Sequence, residues 1–183
     1  MPNVRNPRAR PSGSERTFGT DEVIVTKTDP QGRITYANDV FLRVSALDER
    51  DAVGQPHNVI RHPDMPACVF KLLWETIQDR REIFAYVLNL AADGAHYWVF
   101  AHVTPSADES GRTVGFHSNR RLPDRAAIEE ISALYARLRA EERRHERTPD
   151  AIAASTALLE SHLDGAGMTY AEYVWHLTNG ATP

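Results

Sequence analysis

The sequence predicts an α+β fold with a five-stranded antiparallel sheet and helices collected on one side of it. Two short β-rich runs come first, at residues 23–28 and 33–38, and helical patterns follow them. Three longer β-rich runs then occupy residues 82–91, 96–105 and 113–120. Because the strands stand before and after the helices instead of alternating with them, an antiparallel sheet is favoured.

The first two strands are predicted to pair as a hairpin that leads into the helices. The turn "DPQG" at 29–32 separates them, and its proline and glycine suit a chain reversal. Asn38 can cap a short helix over 39–45, where apolar residues recur at helical spacing. The helix predicted over 67–80 is longer and amphipathic, and Pro66 stands at its first turn.

The last three strands are predicted to be joined by two turns. Asp93 and Gly94 lie between aromatic-rich runs, which is a strong hairpin signal. The polar segment "SADESGR" at 106–112 supplies the second turn. These three strands complete the predicted sheet.

Helices are predicted for the rest of the chain. Pro123 precedes a helix over 124–147, and its last turns carry almost no apolar residues, so we expect that end to project or to meet a partner. A helical hairpin follows over 148–183, in which Thr169 and Glu172 form a capping box. This hairpin is too small to be stable alone, so it must pack on the domain, on the preceding helix or on another copy.

The predicted elements divide the chain into four segments. They are a disordered, basic and proline-rich leader over 1–19, the sheet domain over 20–121, a connecting helix over 122–147 and the helical hairpin over 148–183.

Composition and charge exclude several classes of protein. A net charge of −4 over 183 residues gives no field that attracts nucleic acid. No apolar run approaches the roughly 20 residues that cross a bilayer, so direct membrane insertion is not expected. The single Cys68 excludes an internal disulfide and fits a reducing, cytoplasmic location.

The segment "VIRHPDMP" at 59–66 is the strongest candidate for a site. Its two prolines deny it a regular helix or strand and hold Arg61, His62 and Asp64 at defined angles. These side chains could bind a ligand, or they could form a salt-bridged clamp that holds the start of the following helix. A metal site built from His57, His62 and Asp64 matches no established zinc spacing.

The order of elements is that of a PAS fold. The strings "ITYANDVF", "VGQPHNVIRHPDMP" and "DGAHYWVFAHVTP", with the tryptophan of "LLWETI", closely resemble the sensor domain of the aerotaxis receptor family over about residues 20–140. The resemblance implies a standalone sensor that binds FAD noncovalently and is not an enzyme. It also implies that a change in redox or energy state, linked to oxygen, is signalled to a separate membrane-bound chemoreceptor.

The resemblance also implies which residues hold the cofactor. An arginine can grip the pyrophosphate, amides can bind the polar edge of the flavin, and aromatic rings can form the walls of its pocket. The residues so implied are Arg61, His62, Asp64, Asn38, Trp74, Asn89 and Trp98. Core packing remains open for the two tryptophans, and Asn38 could serve only as a helix cap.

The chain departs from the family pattern at the start of the third strand. Ile83 stands where the family usually has a tryptophan. Phe84 is one residue away and could replace that ring, although a shift of one residue in a strand reverses the face. A basic run that usually follows the strand is also missing.

A second function remains open beside the flavin sensor. The domain could be a PAS interaction module whose pocket is empty or takes another small molecule. In either case a homodimer is expected, with the apolar faces of 128–138 and 158–177 as its seam or as the docking surface of a partner.

Overall fold

The computed structural model describes residues 9–180 and confirms the predicted α+β architecture. The five strands are β1 (Ile24–Thr28), β2 (Ile34–Ala37), β3 (Ile83–Leu90), β4 (His96–Ala107) and β5 (Thr113–Arg121). All neighbours pair antiparallel in the order β2-β1-β5-β4-β3. The helices are α1 (Asp39–Ser45), α2 (Glu49–Ala52), α3 (Ala67–Gln78), α4 (Arg125–Glu142), α5 (Thr148–Ala166) and α6 (Tyr170–Asn179). None of these helices combines the length and apolar character needed to cross a membrane.

The start of α1 is fixed by Asn38, as predicted. Its Oδ1 accepts hydrogen bonds from the backbone N–H groups of Phe41 and Val25, each at 3.0 Å. Its Nδ2 donates to the carbonyl of Val23 at 2.8 Å. One amide therefore caps the helix and ties it to β1, with both its oxygen and its nitrogen bound to backbone groups.

The two faces of the sheet have different partners. On one face, the side chains of Val87, Ala101 and Phe116 face α3 and the 3-10 turn over His57–Ile60. On the other face, the outer face, side chains such as Phe84 and Tyr86 meet α4 and α6. The helices between β2 and β3 thus lie on one side, as expected, and α4 and α6 reach the outer face.

The N-terminal segment follows a defined path where the structure describes it. The backbone N–H of Ser12 donates to the carbonyl of Gly94 at 2.8 Å, and that of Arg16 donates to the carbonyl of His96 at 2.7 Å. This pairing corrects the predicted disordered leader for its second half, because the turn before β4 offers partners to its backbone. Residues 1–8 of that leader lie outside the described residues.

The C-terminal helices bury the apolar faces that were predicted as a dimer seam. The buried residues on these faces are Ile128, Ile131, Leu134, Tyr135, Leu138, Leu159, Leu163, Tyr173, Val174 and Leu177. They pack within the chain, because α4 and α5 lie against each other and α6 lies against β3. The prediction that these faces stay open for a second molecule is therefore wrong.

The end of α4 does not project from the domain either. Glu142 is buried, and its Oε1 accepts from the backbone N–H groups of Ala67 at 2.7 Å and Cys68 at 3.3 Å. Ser155 of α5 donates to the same oxygen at 3.0 Å, and Arg139 pairs with the other oxygen at 2.5 Å. A carboxylate thus caps α3, whose own N-cap residue is a proline without a side-chain acceptor.

Candidate functional site

A cavity of about 450 Å³ lies between the sheet and α3. Its floor is the inner face of β1, β3, β4 and β5, and its walls are α3 and the 3-10 turn. Thr148 and Ile152 of α5 close one side. Cavities of about 300–1,000 Å³ lined mainly by apolar groups are typical small-molecule sites.

A buried arginine forms the polar part of the cavity floor. Arg120 is 5% exposed, and its Nη2 donates to Thr26 Oγ1 at 2.9 Å and lies 2.6 Å from His57 Nε2. Burial lowers the pKa of Arg120 to about 10, so the guanidinium stays charged at neutral pH. Burial, and then the charge of Arg120, lower the pKa of His57 to about 3. His57 is therefore neutral and accepts the hydrogen bond through Nε2.

Three polar atoms at the cavity have no hydrogen-bond partner among residues 9–180. They are Asn89 Nδ2, Ser118 Oγ and Arg120 Nη1, all buried and all on residues that line the cavity. Buried polar groups are nearly always hydrogen-bonded in native proteins. A ligand with several acceptors is the simplest partner for this set.

Aromatic side chains supply flat walls to the same cavity. Trp74 meets Phe116 edge to face, with 5.8 Å between the ring centroids. Arg61 lies over the ring of Phe70, with its Cζ at 4.0 Å from the centroid, and its backbone bridges to Asn89. Of the seven implied binding residues, Arg61, Trp74 and Asn89 therefore line one cavity, and the Asn89 side chain faces it.

His62 and Asp64 do not line the cavity. His62 is buried, and its Nδ1 accepts from the backbone N–H of Asp64 at 3.1 Å, while burial lowers its pKa. The Asp64 carboxylate is exposed and lies 3.5 Å from Arg143, just after α4. Their positions match the clamp that was the alternative, and their contact with a ligand stays a prediction.

Asn38 and Trp98 also lie elsewhere, for different reasons. The oxygen and the nitrogen of the Asn38 amide both form hydrogen bonds with backbone groups. Trp98 is on the outer face, 6.1 Å from the ring of Tyr135, because alternation along β4 turns Val99 and Ala101 the other way. Neither residue lines the cavity, and their contact with the cofactor stays a prediction that this geometry does not favour.

Phe84 does not replace the missing tryptophan of the third strand. Its ring stacks on His102 with centroids 4.1 Å apart, and Trp175 of α6 lies 4.8 Å away. Phe84 belongs to the outer face, as the reversal of faces along a strand requires. The ring contact that Ile83 lacks is therefore not supplied by its neighbour.

Arg120, Ser118 and Thr26 are site residues that the sequence analysis missed. The cavity face of β5 carries Phe116, Ser118 and Arg120, one residue in two. A charged residue on the buried face of a strand was the available signal. This signal was weak because His117 and Asn119 make the opposite face of β5 equally polar, so the sequence did not show which face is buried.

An antiparallel five-stranded sheet that closes a ligand-sized cavity with short helices is PAS architecture, and residues 34–120 match the family described as PAS fold. The aerotaxis receptor of Escherichia coli (strain K12) is 41% identical over 114 residues, which make up 62% of this chain and 22% of that receptor. The domain has the PAS fold, and its sequence is similar to that of the aerotaxis receptor.

More distant relatives share the same domain. Phototropin-2 of Oryza sativa subsp. japonica is 28% identical over 105 residues, covering 57% of this chain and 11% of that protein. The light-state structure of the blue-light photoreceptor Aureochrome1 LOV matches with a TM-score of 0.54 at 18% identity, covering 64% of this chain and 91% of that one. This likeness supports the fold alone. The chain spans less than a quarter of the length of either matched protein, receptor or phototropin.

Proposed function

We propose that this chain is a flavin-binding sensor of redox state, with FAD as its cofactor. The observation that carries the proposal is the set of unpartnered polar atoms on Asn89, Ser118 and Arg120 inside a cavity of about 450 Å³. A flavin offers acceptors along one edge of a flat ring, and the other residues at the cavity suit such a ring. One structure with the same fold, at 17% identity, is a light-oxygen-voltage domain studied with a flavin analogue, so this fold can hold a ligand of that shape.

The residues present fit the parts of FAD in a simple way. Trp74, Phe70 and Phe116 would hold the isoalloxazine ring between apolar and aromatic walls. The amide of Asn89 and the guanidinium of Arg120 would bind its polar edge, and Arg61 would meet the phosphates through its fork of donors. The cofactor supplies the electron chemistry, and the protein binds it, orients it and excludes water.

The output of the sensor is proposed to be protein–protein contact. The relative with 41% identity is an aerotaxis receptor, so we propose a separate membrane-bound chemoreceptor as the partner class and the cytoplasm as the location. The cavity-lining helix α3 is capped by Glu142 of α4, and Ser155 of α5 binds the same carboxylate. A change at the ligand can therefore reach α4 and α5 through one buried group.

The absorbance spectrum of the purified chain tests the cofactor. We expect a yellow protein that releases FAD on heating, identified by chromatography against FAD, FMN and riboflavin. Arg61→Ala should lower FAD occupancy while the far-ultraviolet circular dichroism stays unchanged. A colourless protein that also takes up no added flavin contradicts the proposal, and release of haem or of FMN alone contradicts the choice of FAD.

A further inference from the structure

Arg120 is a buried cation without an acidic partner. Its hydrogen bonds go to Thr26 and His57, which are neutral, and no carboxylate pairs with it among residues 9–180. An unpaired buried charge is far more costly than a buried neutral group, so natural proteins give such charges an anion or a network. The partner that balances Arg120 is therefore expected to come from the cavity.

The two known contacts of Arg120 orient it toward the cavity. Both involve the same nitrogen, Nη2, which lies between Thr26 Oγ1 and His57 Nε2. The other terminal nitrogen, Nη1, is buried and without a partner, and the residue lines the cavity. Thr26 and His57 thus act as positioning residues that leave one end of the guanidinium for a ligand.

We propose that Arg120 is a specificity-determining residue of the cavity, selecting ligands that present an anionic or strongly accepting group on a flat ring. The inference deepens the proposed function and rests on it. For a flavin, that group is the pyrimidine edge. Reduction of the flavin by two electrons with uptake of one proton leaves one negative charge on the ring, so Arg120 makes the cavity bind reduced flavin more tightly than oxidised flavin.

The role of Arg120 differs from that of Arg61. Arg61 is partly exposed and lies over the ring of Phe70, where it would reach phosphates. Arg120 is in the floor, 5% exposed, where only the ring system of a ligand would reach it. Riboflavin lacks phosphate, so it distinguishes the roles of the two arginines. Its binding should depend on Arg120 and not on Arg61.

The experiment measures dissociation constants of oxidised and dithionite-reduced riboflavin and FAD, in which dithionite supplies the electrons and water the proton. The wild-type chain, Arg120→Met, Arg120→Lys and Arg61→Ala are compared after circular dichroism has checked their fold. We expect wild type to favour reduced flavin, and Arg120→Met to reduce that preference by about tenfold to a hundredfold, the range of a charge-assisted hydrogen bond. Arg120→Lys should restore part of the preference, and Arg61→Ala should weaken FAD but not riboflavin.

Two results overturn the inference. One is a wild-type chain that binds reduced flavin no more tightly than oxidised flavin, a measurement that needs no variant and stands even if Arg120→Met fails to fold. The other is a folded Arg120→Met that keeps the wild-type preference. Both leave the flavin-binding proposal intact.

A pair of simple probes covers the opposite case, in which no flavin binds. The anion 2-naphthoate and its neutral amide have the same flat ring and differ in charge. If the wild-type chain prefers the anion and Arg120→Met does not, the proposed function fails while the assignment of Arg120 stands. If neither probe shows a charge preference, the assignment of Arg120 fails as well.

Discussion

At the scale of single residues, a neutral histidine next to a buried cation makes stability depend on pH. The pKa of His57 is lowered from 6.5 to about 3 in the folded chain, first by burial and then by the charge of Arg120. Between pH 6.5 and about pH 3, His57 binds a proton in the unfolded chain but not in the folded chain. The free energy of unfolding therefore falls as pH falls through this window, by at most about 1.4 kcal/mol per pH unit from this residue.

Replacing this histidine tests the effect. In His57→Gln the amide can still accept from Arg120 but cannot titrate, so the decline of stability below about pH 6.5 should become shallower. Urea denaturation at several pH values measures the slope. His176→Gln, at an exposed histidine of α6, is the matched control and should keep the wild-type slope. Equal slopes in wild type and His57→Gln would show that the histidine titrates normally.

Strand alternation explains which site residues the sequence could predict. Asn89 and Trp74 were recognised by residue type and by the family motif, and both line the cavity. The resemblance also implied Trp98 as a pocket wall, although the alternation of side chains along β4 puts it on the outer face. Arg120 was missed because polar residues occur on both faces of β5, so periodicity could not tell which of them was buried.

At the scale of elements, the N-terminus of α3 depends on a carboxylate from α4. Glu142 accepts from two backbone N–H groups of α3 and pairs with Arg139. Glu142→Ala leaves these donors without a partner, and we expect a loss of about 3–5 kcal/mol, the usual result of breaking a buried ion pair. Chemical denaturation of the 183-residue chain measures this loss.

An exposed glutamate close by provides the control. Glu146→Ala removes a carboxylate that lies just beyond α4 at the surface, and it should change stability by less than about 0.5 kcal/mol. If both variants lose the same amount, the cap on α3 contributes nothing specific.

The pairing of β1 with β5 depends on a close approach at Gly115. A Cβ placed there would lie 2.2 Å from the carbonyl oxygen of Thr28, so the strands would have to separate. Gly115→Ala should cost about 1–3 kcal/mol, as overpacking usually does. Gly165→Ala in α5 meets nothing within 4 Å and should instead stabilise by about 0.5–1 kcal/mol. Thermal unfolding measures both variants, and we expect their midpoints to shift in opposite directions. If Gly115→Ala does not lower the midpoint, the approach of the two strands is not tight.

Elements were predictable where the signal is local. The capping box of Thr169 and Glu172 is present as predicted, with Glu172 accepting from the backbone N–H of Thr169 at 2.7 Å. The cap that Glu142 gives to α3 is not local, because 75 residues separate it from Ala67. The sequence showed only a polar helix end there, which is why that end was expected to project.

At the scale of the whole molecule, the C-terminal helices divide their contacts between the cavity and the outer face. Thr148 and Ile152 of α5 line the cavity, and Ser155 binds the carboxylate that caps α3. In α6, Thr178 instead meets the hydroxyl of Tyr86 at 2.8 Å on the outer face. A ligand in the cavity would therefore contact α5 directly and would not contact α6.

This division predicts which helices change their hydrogen exchange when a ligand binds. Loading the full chain with FAD should slow hydrogen exchange in α3 and in the first turns of α5, because a bound ring fills the space between them. The exchange of α6 should change much less, so α6 serves as an internal control measured in the same sample. Reduction with dithionite should shift the exchange of α5 again, since a coupling of about 1–3 kcal/mol is enough for an allosteric response. Two results would contradict this coupling through α5. In one, α5 exchanges at the same rate with and without bound flavin. In the other, the exchange of α6 changes as much as that of α5.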